Sequence, residues 1–246
     1  MYANLLVPGR ISFAEALILQ DRLVAARKAG TIADTLVLLE HPPVLTLGRN
    51  ARRENILASD EWLRARNIEV HDINRGGDVT YHGPGQLVGY PIVDLRGDLP
   101  GKRGPHLGPV DFVRLLEDLL IRVCAEFRIP AQRIPKCTGV WTIPNGTIRE
   151  KKLAAIGVHV SAGVTSHGFA LNVTTDLRDF EWIVPCGISD RGVTSLELET
   201  PLEPAPTLED AVNATSRAFS RTFQRQMLRV DSLDELFARE IEQPGR

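Results

Sequence analysis

Apolar residues recur along this chain with two different spacings, and both spacings appear in the first fifty positions. Ser12 and Glu15 form a capping box, and the apolar residues that follow recur every three or four positions, which predicts a helix with one buried face. Short apolar runs at 35–39 and 44–47 are β-compatible. The two prolines between these runs exclude a helix there. The pattern therefore predicts a helix followed by two short strands.

The same mixture of helix and strand signals continues through the rest of the chain. Strands are predicted at 89–95 and 168–173, and the clearest helical stripe of apolar residues lies at 112–127. An apolar run at 140–143 is followed by Asn-Gly at 145–146, which predicts a tight hairpin because this pair accepts positive φ angles. The order of elements favours an α/β or α+β domain.

A break in the pattern near position 200 separates a long first part from a short tail. The proline-rich segment 201–206 interrupts the chain, and Thr207 with Asp210 then opens a final amphipathic helix. We expect the principal part of the protein at 1–200 and a C-terminal helical extension at 201–246, packed together as a single structural domain.

Composition excludes several classes of protein. The chain has 246 residues, of which 43% are hydrophobic and 24% charged, and its net charge is −2. A near-neutral balance argues against a dedicated nucleic-acid binder, and no apolar run reaches the roughly 20 residues of a membrane span. Three cysteines do not make a disulfide framework, and no secretory signal is recognisable. We therefore expect a cytoplasmic protein without membrane attachment.

The segment RGGDVTYHGPGQL at 75–87 combines glycines and prolines with polar residues. Its glycine spacing fits neither the dinucleotide-binding fingerprint nor a phosphate-binding loop with Gly-Lys-Ser/Thr. Glycines that serve only turns are the plain alternative. The segment also holds residues that a simple turn does not require, namely Arg75, Thr80, Tyr81, His82 and Gln86. This polar content favours the wall of a binding site.

The three cysteines stand in different surroundings. Cys124 lies beside the apolar stripe at 112–127 and is interpreted as a core residue, and a structural role is also the better interpretation for Cys137. Cys186 stands between a proline and a glycine, in a bend that holds a thiol at a defined place near backbone amides, as a nucleophile requires. No Cys-x-x-Cys pair exists, so we predict no metal site.

Lys152 begins an apolar run, which is an unusual position for a cation. Burial disfavours the ammonium form, and a lysine near a thiol can stabilise the thiolate or carry protons. The alternative is a side chain that extends into water, which is credible for either Lys152 or the adjacent Lys151. A histidine partner for the thiol could be drawn with His82, His159 or His167, and the sequence does not choose among them.

These residues lie in six ordered motifs that resemble the lipoyl(octanoyl) transferases, also called octanoyl-[acyl carrier protein]:protein N-octanoyltransferases. The resemblance runs from about position 41 to 196. The motifs are EHPPVLTLGR at 40–49, RGGDVTYHGPGQ at 75–86, TGVW at 138–141, KLAAIG at 152–157, HGFALN at 167–172 and PCGI at 185–188.

The resemblance implies a fold and a site. The fold is that of biotin and lipoate protein ligases, an α/β (α+β) mixed β-sheet flanked by helices, with 1–200 as the catalytic acyltransferase domain. The catalytic cysteine falls on Cys186 and the lysine that tunes it on Lys152. The residues implied to bind the substrate are Arg75, Gly76, Gly77, Asp78, Val79, Thr80, Tyr81, His82, Ala155, Ile156, Gly157, His167, Gly168, Phe169 and Ala170.

The implied activity is octanoyl transfer from octanoyl-acyl carrier protein to a lysine of lipoyl domains, through a thioester on the cysteine and without a cofactor. The implied acceptors are the E2 subunits of 2-oxoacid dehydrogenases and the glycine cleavage H protein, and the enzyme is expected to be a monomer. The glycines at 76, 77, 83 and 85 would let the backbone lie against a thin, uncharged acyl chain. Alternatives are an ATP-dependent lipoate or biotin protein ligase, a cysteine thioesterase and a non-catalytic binder of acylated proteins.

The acidic character of acyl carrier protein predicts where that partner docks. Exposed cations attract an acidic partner and steer its approach. We expect contributions from residues in two basic segments, Arg49, Arg52, Arg53, Lys102 and Arg103.

Overall fold

The computed structural model describes residues 1–144, 146, 149–184 and 191–242. The helices are α1 (Phe13–Ala29), α2 (Asp60–Ala65), α3 (Pro109–Glu126), α4 (Leu196–Glu199), α5 (Leu208–Phe223) and α6 (Leu233–Glu242), with 3-10 turns at Arg53–Asn55 and Leu177–Trp182. The strands are β1 (Tyr2–Arg10), β2 (Thr35–Glu40), β3 (Val44–Leu47), β4 (Glu69–Asp72), β5 (Val79–His82), β6 (Gln86–Ile92), β7 (Ala131–Ile134), β8 (Cys137–Thr142), β9 (Lys152–Ser161), β10 (Val164–Asn172) and β11 (Gln226–Val230).

The strands form one large and one small sheet. The large sheet has the order β11-β1-β2-β6-β10-β9-β8-β7, and the small sheet has the order β4-β3-β5. Strand β1 runs parallel to β2 and β11, whereas the pairs from β2 to β7 are antiparallel. The predicted mixed sheet flanked by helices is therefore confirmed.

Helices cover both faces of the large sheet, and the central strand β2 shows why. Leu36 and Leu38 of β2 join the core under α3 and α5, whereas Val37 and Leu39 join the core under α1 and α6. Successive side chains of a strand point to opposite faces, so a strand that is apolar at every position is buried on both sides.

The capping signals in the sequence mark true helix starts. The Ser12 hydroxyl accepts the Glu15 amide at 3.2 Å, and the Glu15 carboxylate accepts the Ser12 amide at 2.9 Å. Thr207 and Asp210 make the same reciprocal pair at the start of α5. The apolar stripe at 112–127 is α3, which begins with Pro109, where a missing amide proton is not needed.

The tail after position 200 contributes a strand as well as helices. Phe219 and Phe223 of α5 are buried against α3, and Phe223 lies 5.9 Å from Phe112 between ring centroids. Strand β11 pairs in parallel with β1 at the edge of the large sheet. Neither β1 nor β11 was predicted, because each is an edge or near-edge strand whose partner lies far away in sequence.

Two other predicted elements occur with different boundaries. The strand predicted at 89–95 is β6, which begins earlier, inside the glycine-rich segment, and ends before Val93. Strands β8 and β9 pair antiparallel, as the hairpin prediction requires, but the connection spans 143–151 instead of a two-residue turn. Asn145 of the predicted turn lies outside the described residues. Among the helices that the structure describes, none is both long and apolar enough to cross a membrane.

Candidate functional site

A cavity of about 340 Å³ lies between strands β9 and β10 of the large sheet and the segment that follows β4. Its volume is within the range of small-molecule binding sites. Most of the residues that the sequence predicted line this cavity, namely Arg75, Gly77, Asp78, Thr80, His82, Lys152, Ala155, Ile156, Gly157, His167, Gly168, Phe169 and Ala170. Three motifs separated by up to about ninety positions thus meet at one place.

Some lining residues were not predicted, and some predicted residues do not line the cavity. The additional lining residues are Phe13, Asn50, Ile73, Val88, Tyr90, Lys136, Cys137 and Thr138. Gly76, Val79 and Tyr81 are not in the cavity wall. Cys186 lies outside the described residues.

Val79 and Tyr81 belong to a separate apolar cluster on the far side of β5. The Tyr81 ring packs edge-on against Phe180, and its hydroxyl donates a hydrogen bond to Asp179 at 2.5 Å. Burial and the nearby carboxylate both raise the pKa of Tyr81, so the hydroxyl stays protonated. Alternate residues of a strand face opposite sides, which explains why Thr80 and His82 line the cavity while their neighbours do not.

Arg75 anchors the segment that forms one wall of the cavity. Its Nη2 donates to the carbonyl oxygen and the hydroxyl of Thr46, each at 2.9 Å, and the side chain is buried. The adjacent Gly76 amide donates to the carbonyl oxygen of Val158 in β9 at 3.0 Å. This segment therefore connects the small sheet with the large sheet.

Glycines on both sides allow that close approach. A Cβ atom at Gly48 would lie 2.4 Å from the Gly77 carbonyl oxygen, and one at Gly157 would lie 2.7 Å from the Gly76 carbonyl oxygen. Both distances are shorter than real contacts permit, and the opposing atoms belong to the backbone. Only glycine fits at Gly48 and Gly157.

Contacts within the protein also explain two glycines that the sequence associated with the acyl chain. A Cβ atom at Gly83 would overlap the Tyr81 hydroxyl, and one at Gly85 would meet Thr174 at 2.7 Å. Of the four glycines at 76, 77, 83 and 85, only Gly77 lines the cavity. Gly83 and Gly85 make room for neighbouring parts of the chain, whereas a Cβ atom at Gly76 would meet the Val158 carbonyl oxygen at an ordinary distance of 3.6 Å.

A β-bulge directs Lys152 into the cavity. In the β8–β9 pair, Trp141 opposes Lys152 but Val140 opposes Ala154, so β9 contains one extra residue at this point. A bulge changes the face to which the preceding side chains point and is common beside functional sites. As a result Lys152 lines the same cavity as Ala155.

The Lys152 side chain is buried, with 7% of its surface exposed. Its ammonium lies 4.7 Å above the Trp141 ring centroid, in the geometry of a cation–π contact. Its backbone is held by a segment about forty positions further along the chain. The Lys152 amide donates to the carbonyl oxygen of Gly192, and the Lys152 carbonyl oxygen accepts from the amide of Thr194, each at 2.9 Å. The cation is thus fixed in place by backbone and ring contacts.

Cys137 shares the cavity with Lys152, although the sequence favoured a structural role for this thiol. Its sulfur accepts a hydrogen bond from Nη1 of Arg191 at 3.0 Å. The Arg191 guanidinium also forms a salt bridge with Glu150 at 3.0 Å. The cavity wall therefore contains a thiol, and a second cation, Arg191, lies beside that thiol. The motifs indicated neither.

Two buried histidines, His82 and His167, line the cavity, and a third, His41, lies behind its wall beside Tyr90. Nδ1 of His82 donates to the Gln86 side-chain oxygen at 2.7 Å. Nδ1 of His41 donates to the Ile11 carbonyl oxygen at 2.8 Å, and its Nε2 accepts the Tyr90 hydroxyl at 2.8 Å. Each of these bonds is compatible with a neutral ring.

Burial lowers the pKa of all three buried histidines in this region. The pKa of His41 falls to about 4, that of His82 to about 3 and that of His167 to about 4, and the charge of Arg75 contributes at His82 and His167. At neutral pH these three rings are uncharged, and Arg75 supplies the positive charge that acts on two of them. Within the part of the chain that the structure describes, no cluster of three His, Cys, Asp or Glu residues is arranged to hold a metal ion.

These lowered pKa values predict a loss of stability in mild acid. A histidine whose pKa is lower in the folded state makes its full contribution to stability when the pH is above about 6.5, its pKa in the unfolded chain. This contribution is lost as the pH falls towards about 4, the pKa of His41 in the folded protein. The expected loss at pH 5 is about 2 kcal/mol for each such ring. Urea unfolding of the wild type and of His41→Gln at pH 7.5 and pH 5 measures it.

The variant should show a smaller loss than the wild type by about 2 kcal/mol, because glutamine does not titrate. The exposed His106 offers the matched control, and His106→Gln should behave as the wild type does. Equal pH dependence in the wild type and in His41→Gln would contradict the assignment of a neutral, buried His41.

Comparison with known proteins agrees with this architecture. A family model of the lipoyl protein ligase A/B catalytic domain matches residues 12–220. An octanoyltransferase of Acidobacterium capsulatum is 61% identical over 96% of this chain and 96% of its own length. An octanoyltransferase of Koribacter versatilis is 50% identical over 97% of this chain and 91% of its own length.

Solved structures show the same fold at low sequence identity. A lipoate-protein ligase A bound with ATP has a TM-score of 0.73 at 15% identity and covers 98% of this chain and 94% of its own. A bi-partite lipoate protein ligase of Thermoplasma acidophilum has a TM-score of 0.72 at 15% identity, covering 98% of this chain and 91% of its own.

The chain therefore belongs to the family of lipoyl protein ligase A/B catalytic domains. Within that family its relatives at 50% and 61% identity are octanoyltransferases, and like them it is an acyltransferase.

Proposed function

We propose that this protein transfers an octanoyl group from octanoyl-acyl carrier protein to a lysine of lipoyl domains, through a thioester on Cys186. The observation that carries the proposal is the buried Lys152, which a β-bulge directs into a cavity that continues along β9. From Lys152 to Gly157 the strand extends about 17 Å. Such a slot suits a thin acyl chain with its reactive end near the lysine.

In the first step the Cys186 thiolate attacks the carbonyl carbon of the octanoyl thioester. The new carbon–sulfur bond forms as the bond to the carrier-protein sulfur breaks, and that sulfur leaves as a thiolate that takes up a proton. Lys152 favours the thiolate of Cys186 as a nearby cation. The exchange of one thioester for another is nearly balanced in energy.

In the second step the amine of the acceptor lysine attacks the acyl-enzyme thioester. An amide bond forms, the bond to the Cys186 sulfur breaks, and the amine loses one proton, for which Lys152 provides the relay. Conversion of a thioester into an amide is downhill, so the reaction needs no ATP. We propose the lipoyl domains of 2-oxoacid dehydrogenase E2 subunits and the glycine cleavage H protein as acceptors.

Three hydrogen bonds support the placement of Cys186 at this cavity. Val184, two positions before Cys186, donates its amide to the Asn55 carbonyl oxygen at 2.8 Å, and the Asn55 side chain donates to Asp78 in the cavity wall at 2.6 Å. Gly192, six positions after Cys186, accepts the amide of Lys152. The chain on either side of the thiol is thus attached to residues of the cavity.

Mass spectrometry of the intact protein tests the proposal. After mixing with octanoyl-acyl carrier protein, we expect one octanoyl group per chain, located on Cys186 by peptide mapping. Addition of a lipoyl domain should discharge it to a lysine amide. Cys186→Ser should form no thioester adduct, whereas Cys137→Ser, which removes the thiol found in the cavity wall, should still form one.

The same experiment separates the alternatives. Adenylation followed by transfer from free octanoate and ATP would indicate a ligase. Release of octanoate to water, with no amide on the lipoyl domain, would indicate a thioesterase. An adduct that forms on Cys137 but not on Cys186 would overturn the proposed mechanism.

Docking of the acidic carrier protein should depend on one of the two basic segments. Arg52 and Arg53 are exposed and follow Asn50 of the cavity wall. Lys102 donates to the carbonyl oxygen of Arg96, whose side chain lies beside Gly163, just before the start of β10. The start of β10 is about 26 Å along the strand from the end nearer Lys152. The first segment is therefore placed to meet a partner that delivers its acyl group to the cavity.

Charge reversal separates the two segments. Arg52→Glu/Arg53→Glu should raise KM for octanoyl-acyl carrier protein about tenfold at low salt and weaken the salt dependence of transfer. Lys102→Glu/Arg103→Glu is the matched control and should leave both unchanged. Steady-state kinetics at two salt concentrations measures the effect, and equal effects of the two double variants would contradict this docking site.

A further inference from the structure

A second groove lies directly beside the acyl cavity. It has a volume of about 500 Å³ and runs between the first half of α1 and the start of β10, with Leu17 and Ser166 among its lining residues. Only two residues line both the groove and the cavity, Ile73 and His167. These two side chains are the partition between the two spaces in the described part of the chain.

His167 is held in this position by its neighbours. Its Nε2 donates to the Asn74 side-chain oxygen at 2.8 Å, and its backbone amide donates to the Gln20 side-chain oxygen at 2.7 Å. Its φ angle is +56°, in the left-handed region that non-glycine residues rarely adopt. A conformation that costs energy persists only where the surroundings hold it, and such residues concentrate at functional sites.

The partition lies at the end of the cavity away from the reacting groups. His167 opposes Val158 in the β9–β10 pair, and Val158 is six positions along the strand from Lys152, or about 20 Å between Cα atoms. The side chains of Lys152 and His167 both line the cavity, so the space between the Lys152 ammonium and the His167 ring is shorter than this backbone distance. An acyl chain bound with its carbonyl near Lys152 therefore extends towards the His167 ring. The ring packs edge-on against Tyr90, with 6.4 Å between ring centroids.

We propose that the His167 side chain, positioned by Asn74 and Gln20, closes the acyl cavity and limits the length of the acyl chain that the enzyme accepts. The inference rests on the proposed octanoyl transfer and adds a determinant of substrate specificity to it. The Nε2–Asn74 hydrogen bond, which lies between the buried His167 ring and the exposed Asn74, helps to hold the partition, since a ring that turned into the cavity would lose this partner and bring a polar nitrogen against an apolar chain. Removal of the ring would join the cavity to the groove.

His167→Gly tests this inference. Glycine adopts the positive φ without strain and keeps the amide that donates to Gln20, so the backbone is preserved. We expect the ratio of kcat/KM for dodecanoyl- over octanoyl-acyl carrier protein to rise about tenfold or more, because each methylene that a closed pocket rejects changes specificity by about that factor. Continued transfer of octanoyl groups shows that the variant is folded.

A second variant should reverse the effect. Leu17→Trp fills the groove and should leave octanoyl transfer by the otherwise wild-type protein unchanged. In combination with His167→Gly it should remove the gain with dodecanoyl-acyl carrier protein. Asn74→Ala, which releases the ring without deleting it, should shift the ratio in the same direction by a smaller factor and carries the test if His167→Gly does not fold.

The outcomes distinguish this inference from the proposed function. If the wild type transfers octanoyl groups and neither His167→Gly nor Asn74→Ala changes the chain-length ratio, the partition does not set acyl length. A gain that persists after Leu17→Trp would likewise overturn the role of the groove. Failure of the wild type to transfer octanoyl groups at all would contradict the proposed function instead.

Discussion

Lys152→Met is expected to lower the rate of octanoyl transfer by a factor of about 10² to 10⁴, the range that a single acid–base group contributes. Methionine keeps the apolar stem that packs on Trp141 but removes the ammonium. In the proposed mechanism the thiolate would lose its neighbouring cation and the acceptor amine its proton relay, so both half-reactions should slow. Rapid-quench measurement of acyl-enzyme formation and discharge reports the two steps separately.

The adjacent lysine provides the control for that experiment. Lys151 is 45% exposed, and its ammonium lies 4.0 Å from Glu199. Lys151→Met changes the same chemical group one position earlier and should leave both steps unchanged. A larger effect at Lys151 than at Lys152, or no effect at either, would show that the buried lysine is not part of the reaction.

The role of the Lys152 amine can be tested by adding a free amine to a variant that lacks it. Small primary amines that diffuse into the space vacated by the side chain should restore part of the activity of Lys152→Ala, because they return a proton donor and acceptor to the cavity. Rescue that follows the size of the amine would place the lost group in the cavity. Rescue is not expected for a lysine that only supports the fold.

Local signals in the sequence predicted the elements whose stability is decided locally. The capping boxes at Ser12 and Thr207 and the apolar stripe of α3 are read from neighbouring residues, and the structure confirms all three. The apolar run of β2 was found for the same reason. These features need no knowledge of what packs against them.

Long-range contacts determined what the pattern did not show. Strand β1 pairs with β11 more than two hundred positions away, and Phe13 and Tyr90 enter the cavity wall from opposite ends of the first hundred residues. The bulge at Lys152 depends on the register with β8, which follows from pairing and not from composition. No signal in the sequence distinguishes Cys137 in the wall from a structural cysteine.

The motifs identified the candidate site better than the physical pattern did, and strand geometry explains the difference. The segment at 75–82 was taken as one continuous wall, whereas alternation along β5 sends Thr80 and His82 towards the cavity and Val79 and Tyr81 away from it. A segment that reads as a loop because it contains glycine therefore holds a strand. Among the glycines of 75–87, Gly77 lines the cavity, whereas Gly83 and Gly85 allow close contacts with other parts of the chain.

Gly168→Ala is expected to destabilise the protein by about 3 kcal/mol, at the upper end of the cost of overpacking. An added Cβ atom would lie 2.1 Å from the carbonyl oxygen of Gly89 and 2.5 Å from the ring of Pro91, both in β6. Neither atom is the flexible end of a side chain, so β6 and β10 would have to separate. For a chain of this size the melting temperature should fall by roughly 6 to 12 °C.

Gly89→Ala on the opposite strand separates stability from the shape of the cavity. Its Cβ atom would meet the far end of the Phe169 ring at 2.1 Å, and this ring lines the cavity and can turn. We expect a smaller loss of stability than for Gly168→Ala but a marked rise in KM for octanoyl-acyl carrier protein. Gly104→Ala, where a Cβ atom meets nothing within 4 Å, should change neither quantity. Calorimetry and kinetics on the three variants check this order, and equal stability of Gly168→Ala and Gly104→Ala would contradict the close contact between β6 and β10 that shapes the cavity wall.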